Sequence, residues 1–374
     1  MDHVTDTLVI GAGPAGLAVA ACLQKRDVPF LIVERAATVG SSWRHHYDQL
    51  HLHTDRSHSA LPYLPFPKGT PRYPAREQVI EYLDHYARHF ELAPHFGEEV
   101  QALHSAGGEW ATTTSSGVYR SRYVVVATGY NAVPHEPRWP GQECFHGPIM
   151  HSSAYRNGEP FRGQRVLVIG FGNSGGEIAV DLHEHGARVA VAVRGPVNII
   201  PRDILGIPVL SIGIALSRLP THVSDALAAP LVRLVIGDIT RLGFRKLAMG
   251  PLAQITNTAR VPLIDVGTIR LIREGRIEVL GDVREISATG VTFDDGRFLP
   301  FDAIVVATGY RPRIDEFLET RNDLAGRARQ LAPDRTGTGN GLYFCGFIVS
   351  PTGMLREIGM EARSIAEDIA RREH

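Results

Sequence analysis

The chain has 374 residues, a net charge of −1 and 44% hydrophobic residues, enough for two domains of ordinary size. The near-neutral charge excludes the basic surface typical of nucleic-acid binding, so no nucleic-acid partner is expected. Cys22, Cys144 and Cys345 form neither a Cys-x-x-Cys pair nor a metal-like spacing. These features predict a reduced, cytoplasmic protein without a metal site.

One pattern occurs twice along the chain. The first copy opens with TLVIGAGPAG (Thr7–Gly16) and closes with YVVVATGY (Tyr123–Tyr130). The second opens with RVLVIGFGNSGG (Arg165–Gly176) and closes with AIVVATGY (Ala303–Tyr310). Each opening predicts a strand, a glycine turn and a helix, and the Gly-Gly, Ser-Gly and Asp-Gly pairs before each closing predict a small antiparallel meander.

This repeat predicts an α/β protein with two Rossmann-like dinucleotide-binding domains, each with a small β-meander, the second domain inserted into the first. The predicted first domain comprises residues 1–158 and 297–374, and the predicted second domain comprises residues 159–296. The segment after Tyr310 is too short for a third domain, so its C-terminal helix EARSIAEDIARR is expected to complete the first.

The first glycine stretch has the GxGxxG spacing at Gly11, Gly13 and Gly16. In this motif the glycines allow a tight turn, close approach of a pyrophosphate and close packing of the helix on the strand. Glu34 follows about 20 residues later, where a carboxylate can accept hydrogen bonds from ribose hydroxyls. FAD has a diphosphate and a free ribose 2′-hydroxyl, so the first site is predicted to bind FAD.

The second glycine stretch repeats the spacing at Gly170, Gly172 and Gly175, and Arg194 ends its second strand. Arg194 is interpreted as taking the place that Glu34 has in the first copy. A guanidinium there would pair with a 2′-phosphate, which predicts NADPH in preference to NADH. Two such sites in one chain predict hydride transfer between nicotinamide and flavin.

Several flavoprotein classes share this plan. Disulfide reductases are excluded because they need a redox cysteine pair beside the flavin. The histidine-rich stretch HHYDQLHLHT (His45–Thr54) lacks carboxylate or thiolate ligands at regular spacing, so it is interpreted as loop or active-site wall. Two-domain reductases and monooxygenases remain open at this point.

The stretch FHGPIMHSSAY, before the second glycine turn, carries the fingerprint FxGxxxHxxx(Y/F) at Phe145, Gly147, His151 and Tyr155. With this fingerprint the chain resembles the flavin-containing monooxygenases, or class B flavoprotein monooxygenases. Within that family it is most similar to the plant YUCCA enzymes, in stretches such as VRGPVNIIPRDILG, VPLIDVGTI and NGLYFCGF. GSSWR, at 40–44, resembles the GGxW element of the family.

The resemblance implies an FAD- and NADPH-dependent monooxygenase that forms a C4a-(hydro)peroxyflavin and oxygenates a small organic substrate with O₂. The reaction of the YUCCA branch is oxidative decarboxylation of an aromatic 2-oxo acid, indole-3-pyruvate. The stretch LHLHTDRSHSALP lacks the asparagine of amine-oxidising relatives, which argues against N-oxidation. The fingerprint ends in AY instead of WP, which argues against Baeyer–Villiger chemistry.

The resemblance also implies roles for individual residues. The expected cofactor-binding residues are Gly11, Gly13, Pro14, Ala15, Gly16, Glu34, Arg35, Ser42, Trp43, Ala127, Thr128, Gly129, Gly170, Gly172, Asn173, Ser174, Gly175, Arg194, Thr308 and Gly309. The catalytic candidates are Asn173, Asn131 and His151. His151 is expected to organise a junction between the domains, and each asparagine could equally be a turn residue.

Three alternatives to 2-oxo acid oxygenation stay open: an NADPH reductase that passes electrons on without oxygenation, an N-/S-oxygenating monooxygenase, and a redox-sensing module without turnover. The apolar segment from Ile204 to Ser217 is too short to span a bilayer. It is interpreted as a cover over the substrate, a buried helix, a peripheral membrane contact or a homodimer surface.

Overall fold

A computed structural model describes residues 2–216, 219–318 and 340–373. The helices of these residues are α1 Pro14–Gln24, α2 Ser41–Arg44, α3 Arg76–His89, α4 Asn173–Glu184, α5 Val209–Leu216, α6 Thr221–Ile236, α7 Pro251–Thr258, α8 Thr268–Arg273 and α9 Met354–Glu373. The strands are β1 Asp2–Ile10, β2 Phe30–Glu34, β3 His95–Phe96, β4 Val100–Ala106, β5 Glu109–Thr114, β6 Val118–Val126, β7 Val133–Pro134, β8 Ile149–His151, β9 Arg165–Ile169, β10 Arg188–Ala192, β11 Ile199–Pro201, β12 Asp203–Ile204, β13 Ile207–Pro208, β14 Leu263–Asp265, β15 Ile277–Leu280, β16 Val283–Ser287, β17 Gly290–Phe293, β18 Phe298–Pro300, β19 Ala303–Val306, β20 Tyr310–Arg311 and β21 Leu342–Phe344.

The first of two compact units comprises Met1–Arg44, Thr54–Val133 and Tyr310–His374. Its described strands form a sheet in the order β3-β2-β1-β6-β5-β4, and β21 also pairs with β6. β1 runs parallel to β2 and β6, whereas β4, β5 and β6 form an antiparallel meander. The meander expected from the Gly-Gly and Ser-Gly pairs is therefore part of the main sheet.

Helix α1 is buried on nearly its whole circumference, because it packs between the sheet and α9. Its alanines and Gly16 keep it thin enough for this close approach. Helix α9 is amphipathic and buries Leu355, Ile358, Ile365 and Ile369 on one face. Burial of each such side chain contributes roughly 1.5–3 kcal/mol to folding. The C-terminal segment thus stabilises the helix that follows the first glycine turn.

The second unit comprises His45–His53 and Pro134–Gly309. Its main sheet, in the order β15-β10-β9-β19-β8, is parallel throughout the described residues. The strands β16, β17 and β18 form a separate antiparallel sheet. Residues 45–53, 134–158 and 297–309 lie in this unit, whereas the sequence-based limits placed them with the first. The physical reason is that β8 pairs with β19 and continues the second sheet.

The central strand β9 buries both of its faces. Val166 and Val168 pack into a cluster with the helices α4 and α8, whereas Leu167 and Ile169 pack into a cluster with β16–β18. A strand that is covered on both faces has apolar residues at consecutive positions, which explains the sequence RVLVI.

Both glycine turns lie where the strand order reverses. In the first sheet β1 has β2 on one side and β6 on the other, and in the second sheet β9 lies between β10 and β19. At such a switch point the loops at the carboxyl ends of the strands diverge and leave a crevice for a ligand. Each glycine turn directly follows the carboxyl end of its strand.

The apolar segment that begins at Ile204 divides into a β12–β13 hairpin and helix α5, while Ser217 and Arg218 lie outside the described residues. In the described ranges we find no helix with the length and apolar character needed to cross a membrane.

Candidate functional site

The first glycine turn is shaped by contacts that only glycine permits. Gly11 has a φ of 106°, and a Cβ on it would lie 2.8 Å from the Ala127 carbonyl oxygen. A Cβ on Gly16 would lie 1.8 Å from the Gly11 carbonyl oxygen. Around Gly13, in contrast, a Cβ would meet no protein atom within 4 Å. Two glycines are therefore required by the fold, and the middle one leaves an open space.

The second turn repeats this geometry. Gly170 also has a φ of 106°, and its Cβ would lie 2.4 Å from the Ala307 carbonyl oxygen. A Cβ on Gly175 would lie 2.2 Å from the Gly170 carbonyl oxygen, and one on Gly172 would meet no protein atom within 4 Å. The sequence repeat is thus a structural repeat, down to the open side at the middle glycine.

The two ATG elements supply the alanine carbonyls that touch the first glycine of each turn. Their glycines, Gly129 and Gly309, have φ values of 81° and 88°. Their threonines differ: Thr308 donates its hydroxyl to the His135 carbonyl, whereas the buried Thr128 hydroxyl has no hydrogen-bond partner in the described chain. A buried hydroxyl without a partner indicates a place where a ligand would complete the bonding.

Glu34 belongs to the first turn through its carboxylate. It is buried, with 7% exposure, and accepts hydrogen bonds from the backbone N–H groups of Ala12 at 2.7 Å and Ala36 at 2.9 Å. These bonds hold the carboxylate at the end of β2, beside the turn.

The hydrogen-bond register corrects the equivalence of Glu34 and Arg194. Gly11 N donates to Val33, and the corresponding Gly170 N donates to Ala192. The residue at the place of Glu34 is therefore Val193, and Arg194 corresponds to Arg35. The second site lacks the carboxylate that would repel a 2′-phosphate, and it has an exposed guanidinium one residue further along.

The GSSWR element forms the short helix α2. Arg44 pairs with Asp84 at 2.5 Å and donates to the Val39 carbonyl, so its guanidinium has a structural role. Trp43 is half-buried, and Ser42 is exposed on the same turn. Pro14 and Ala15 open α1, where their position exposes the helix N-terminus to the glycine turn.

The fingerprint residues Phe145 and Gly147 make their contacts within the second unit. Phe145 packs on the cluster between the main sheet and β16–β18. A Cβ on Gly147 would lie 2.0 Å from the Asp302 carbonyl oxygen, so the chain can enter β8 only with glycine there. These two residues seat the edge strand of the second sheet.

His151 is buried at the end of β8, and both of its ring nitrogens have partners. The Ser153 N–H donates to Nδ1 at 3.1 Å, so Nε2 carries the proton and donates to the Gly309 carbonyl at 3.1 Å. Burial lowers the pKa of His151, which favours this neutral form. His151 therefore ties β8 to the second ATG element, and a role as general base is not supported by its bonding.

Tyr155, the last residue of the fingerprint, is buried against helix α4. Its hydroxyl donates to Asp181 at 2.5 Å, and its ring stacks on Phe161. Burial raises the pKa of both Tyr155 and Asp181. This bond fixes the segment after β8 onto the helix that follows the second glycine turn.

The histidine-rich stretch binds the same helix. Glu177 of α4 accepts a hydrogen bond from Tyr47 at 3.0 Å and pairs with His53 at 2.6 Å. Gln49 donates to Glu184, two turns further along the same face of α4. In the described ranges no group of three or more His, Cys, Asp or Glu side chains is arranged to hold a metal ion.

The two asparagine candidates differ in their surroundings. The Asn173 side-chain oxygen accepts from the Ile264 N–H at 2.8 Å, which joins the start of α4 to β14. Ser174 follows on the first turn of the helix and is half-buried. Asn131 is exposed after the first ATG element.

One contact of the second turn was not predicted. Phe171, between Gly170 and Gly172, stacks on the buried Phe244 with ring centroids 4.8 Å apart. The two residues are far apart in sequence, and the only sequence signal is the bulky side chain inside a glycine turn.

Comparisons with known proteins agree with this architecture. A family model described as pyridine nucleotide-disulphide oxidoreductase matches residues 8–202, just over half of the chain. The indole-3-pyruvate monooxygenase YUCCA1 of Oryza sativa subsp. japonica is 40% identical to this chain, covering 98% of it and 91% of the relative. The probable indole-3-pyruvate monooxygenase YUCCA1 of Arabidopsis thaliana is also 40% identical, covering 91% and 84%. A solved flavin-containing monooxygenase from Stenotrophomonas maltophilia covers 100% of both chains with a TM-score of 0.72 and 21% identity.

Two Rossmann-type sheets, each with a glycine turn at its switch point, define the class of the two-nucleotide oxidoreductases. Within that class, the chain belongs to the YUCCA family of flavin-containing monooxygenases. The predicted resemblance, the predicted fold class and the predicted enzyme class are confirmed.

Proposed function

We propose that this chain binds FAD at the first glycine turn and NADPH at the second, and oxidatively decarboxylates an aromatic 2-oxo acid such as indole-3-pyruvate. The balanced reaction consumes the 2-oxo acid, O₂, NADPH and a proton, and yields the arylacetic acid, CO₂, water and NADP⁺. The observation that carries the substrate class is the 40% identity, over nearly the full length, to a relative named for indole-3-pyruvate.

The residues of the first turn fit FAD. The open space at Gly13 admits a diphosphate, the N-terminus of α1 points its free N–H groups there, and Glu34 can accept from a ribose. The Thr128 hydroxyl is buried and lacks a partner in the described chain, which fits a ligand at this end of the sheet. Bound FAD would supply the reduced flavin that activates O₂.

The proposed FAD-binding residues are Gly11, Gly13, Pro14, Ala15, Gly16, Glu34, Arg35, Ser42, Trp43, Ala127, Thr128 and Gly129.

The residues of the second turn fit NADPH. Gly172 leaves the space for the pyrophosphate, and Val193 places an apolar side chain where the first site has a carboxylate. Arg194 follows directly, in reach of a ribose 2′-phosphate at the carboxyl end of β10. Bound NADPH would supply the hydride. The proposed NADPH-binding residues are Gly170, Gly172, Asn173, Ser174, Gly175, Arg194, Thr308 and Gly309.

The protein's own contribution to the reaction is to hold these groups and to keep water out. His151 keeps the second ATG element in place with a neutral ring, so no charge is added at Gly309. Asn131 is proposed as a residue that faces substrate or cofactor, since its side chain is exposed after the first ATG element. Dry surroundings would limit loss of the reducing equivalents as hydrogen peroxide.

The proposal also covers location and assembly. The three cysteines are free, with Cys22 and Cys345 buried, which is typical of proteins from a reducing compartment such as the cytoplasm. Exposed Leu227, Leu231 and Leu234 of α6 would be covered in a homodimer. Light scattering on the FAD-loaded protein tests this, and a monomeric mass at micromolar concentration would remove the dimer from the proposal.

The substrate proposal is tested with the purified, FAD-loaded protein, NADPH and indole-3-pyruvate. We expect indole-3-acetic acid in a ratio close to one per NADPH, measured by chromatography together with hydrogen peroxide. Phenylpyruvate, an amine, a sulfide and a ketone serve as matched substrates. Oxygenation of the amine or sulfide without decarboxylation would favour an N-/S-oxygenating enzyme.

Formation of peroxide alone, in proportion to NADPH and independent of substrate, would favour an NADPH reductase. The name of the matching family model suggests a further route, electron transfer to a disulfide. The absence of a Cys-x-x-Cys pair in the sequence argues against that route.

A further inference from the structure

Arg245, a basic residue outside the glycine motif, lies beside the segment that follows the second turn. Arg245 follows the 3₁₀ helix Ile239–Leu242 in the sequence GFRK, on a loop far from the motif in sequence. Its guanidinium Nη2 donates to the carbonyl oxygen of Arg194 at 2.5 Å. Two guanidinium-bearing residues from separate parts of the chain therefore meet at the carboxyl end of β10.

The backbone of this loop is attached to the glycine turn itself. Phe244, the residue before Arg245, is buried and stacks on Phe171 inside the turn, with an interplanar angle of 29°. Arg245 therefore directly follows a residue that packs on the glycine turn.

A second attachment joins the loop to the segment after β10. The Val197 N–H donates to the Arg245 carbonyl at 2.9 Å, and the Leu247 N–H donates back to the Val197 carbonyl at 3.1 Å. These paired bonds fix the loop in register with Arg194, three residues earlier in the chain. The position of Arg245 is thus set from both sides.

The charges at this place suit a phosphate dianion. Arg194 and Arg245 are exposed, and Lys246 adds a third positive charge next to them. In the described ranges neither arginine forms an ion pair with a carboxylate, and Val193 replaces the acid of the first site. Each guanidinium can give a pair of N–H bonds to a phosphate, so two arginines can bond more of its oxygens than one arginine can.

We propose that Arg245 and Arg194 together form the site for the 2′-phosphate of NADPH, with Arg245 as a specificity-determining residue. This inference rests on the proposed binding of NADPH at the second turn. It assigns a ligand contact to a loop that lies outside both glycine motifs.

The test measures binding of 2′,5′-ADP and of 5′-AMP to the FAD-loaded protein by calorimetry. Both carry the adenosine ribose, but only 2′,5′-ADP carries the 2′-phosphate. We expect Arg245→Ala to weaken 2′,5′-ADP about tenfold or more and to change 5′-AMP less than twofold, since a charge-assisted pair is lost. Arg241→Ala is the matched control, because Arg241 lies in the adjoining 3₁₀ helix and is exposed; it should change neither.

The double variant Arg194→Ala/Arg245→Ala distinguishes a positioning role of Arg245 from direct contact with the phosphate. If Arg245 only holds Arg194 through its carbonyl, Arg245→Ala should have no further effect in the Arg194→Ala background. A further loss of 2′,5′-ADP affinity in that background supports direct contact. Unchanged binding in the single variant, equal loss of both nucleotides, or no further loss in the double variant would overturn the proposal.

The same variants separate this inference from the proposed function. Suppose that Arg245→Ala no longer discriminates between the two nucleotides, while the parent protein forms no product from indole-3-pyruvate. That result would support the phosphate site and reject the proposed substrate. Product formation from indole-3-pyruvate with unchanged nucleotide discrimination in Arg245→Ala would do the reverse. The ratio of KM for NADPH to KM for NADH, with kcat recorded separately, provides a second readout.

Discussion

The two glycine turns share one backbone and differ in what lies beside it. Gly11 and Gly170 have the same φ of 106°, and Gly16 and Gly175 make the same close approach to the first glycine's carbonyl. Beside the first turn lies a buried carboxylate held by two backbone N–H groups, and beside the second lies an apolar residue followed by an arginine. In the proposed function, the shared part accommodates a diphosphate and the different part sets which nucleotide is favoured.

The strongest test of the shared part compares glycines within one turn. Gly16→Ala should destabilise the first unit by about 3 kcal/mol, because its Cβ would overlap the Gly11 carbonyl oxygen. Gly13→Ala should leave the unfolding midpoint unchanged and still reduce the FAD content, because its Cβ enters only the open space. The FAD content and thermal unfolding of both purified variants provide the comparison.

Gly175→Ala and Gly172→Ala should behave in the same way in the second unit, with NADPH binding in place of FAD content. If Gly16→Ala and Gly13→Ala were equally stable and equally loaded with FAD, the turn would not be the diphosphate site.

These turns were predictable from sequence because their geometry is local. The spacing of Gly11, Gly13 and Gly16 already specifies a tight turn between a strand and a helix. The residue next to the turn was less predictable: counting along the chain paired Glu34 with Arg194, and only the hydrogen bonds of Gly11 and Gly170 show an offset of one residue.

Contacts between distant segments left no sequence signal that identifies both partners. The bonds from Tyr47 and His53 to Glu177 join two stretches whose separate patterns read as a loop and a helix. The stacking of Phe244 on Phe171 is of the same kind. Such pairs depend on how sheets and helices bring the chain together, and the pattern of a single sequence does not record that.

Each unit buries a carboxyl group whose pKa is raised by burial, Glu361 in the first unit and Asp181 in the second. In the first unit burial raises the pKa of Glu361 to about 7, although the Gly346 N–H donates to it at 2.6 Å. A carboxyl group with a raised folded pKa contributes stability that is fully present below its unfolded value near 4.5 and is lost as pH rises through 7. The shift corresponds to about 3 kcal/mol.

Glu361→Gln should therefore flatten the pH dependence of stability between pH 5 and pH 8, because glutamine stays neutral and still accepts from Gly346. The free energy of unfolding of variant and parent at both pH values is the measurement. Glu367→Gln, at an exposed site on the same helix, is the control. A parent protein equally stable at pH 5 and pH 8 would contradict the prediction.

The position at which the two sites differ, Glu34 in the first and Val193 in the second, is tested by substitution. Val193→Glu places in the second site the carboxylate that Glu34 provides in the first. It should repel a 2′-phosphate and accept from a free ribose hydroxyl, so the preference for NADPH over NADH should fall by about 100-fold. Val193→Gln, similar in size and uncharged, should shift the preference much less. Equal ratios of kcat/KM for the two nucleotides in parent and Val193→Glu would reject the assignment of this position.

The smallest effect expected comes from one hydroxyl in each unit. Tyr155 of the second unit donates to the carboxylate of Asp181, whereas Tyr86 of the first unit donates to the neutral carbonyl of Pro62 at 2.8 Å. Each replacement by phenylalanine should cost about 1–2 kcal/mol at neutral pH, since a buried acceptor loses its bond.

Only the loss at Tyr155 should depend on pH. Its bond favours the charged form of Asp181, so Tyr155→Phe should raise the already raised pKa of that carboxyl further. Because a raised carboxyl pKa costs stability as pH rises through it, Tyr155→Phe should destabilise more at pH 8 than at pH 5, and Tyr86→Phe equally at both. Thermal unfolding of the two variants at the two pH values measures the difference. A parallel shift in both would mean that Asp181 stays in one protonation state across this range, and that the fingerprint tyrosine contributes packing alone.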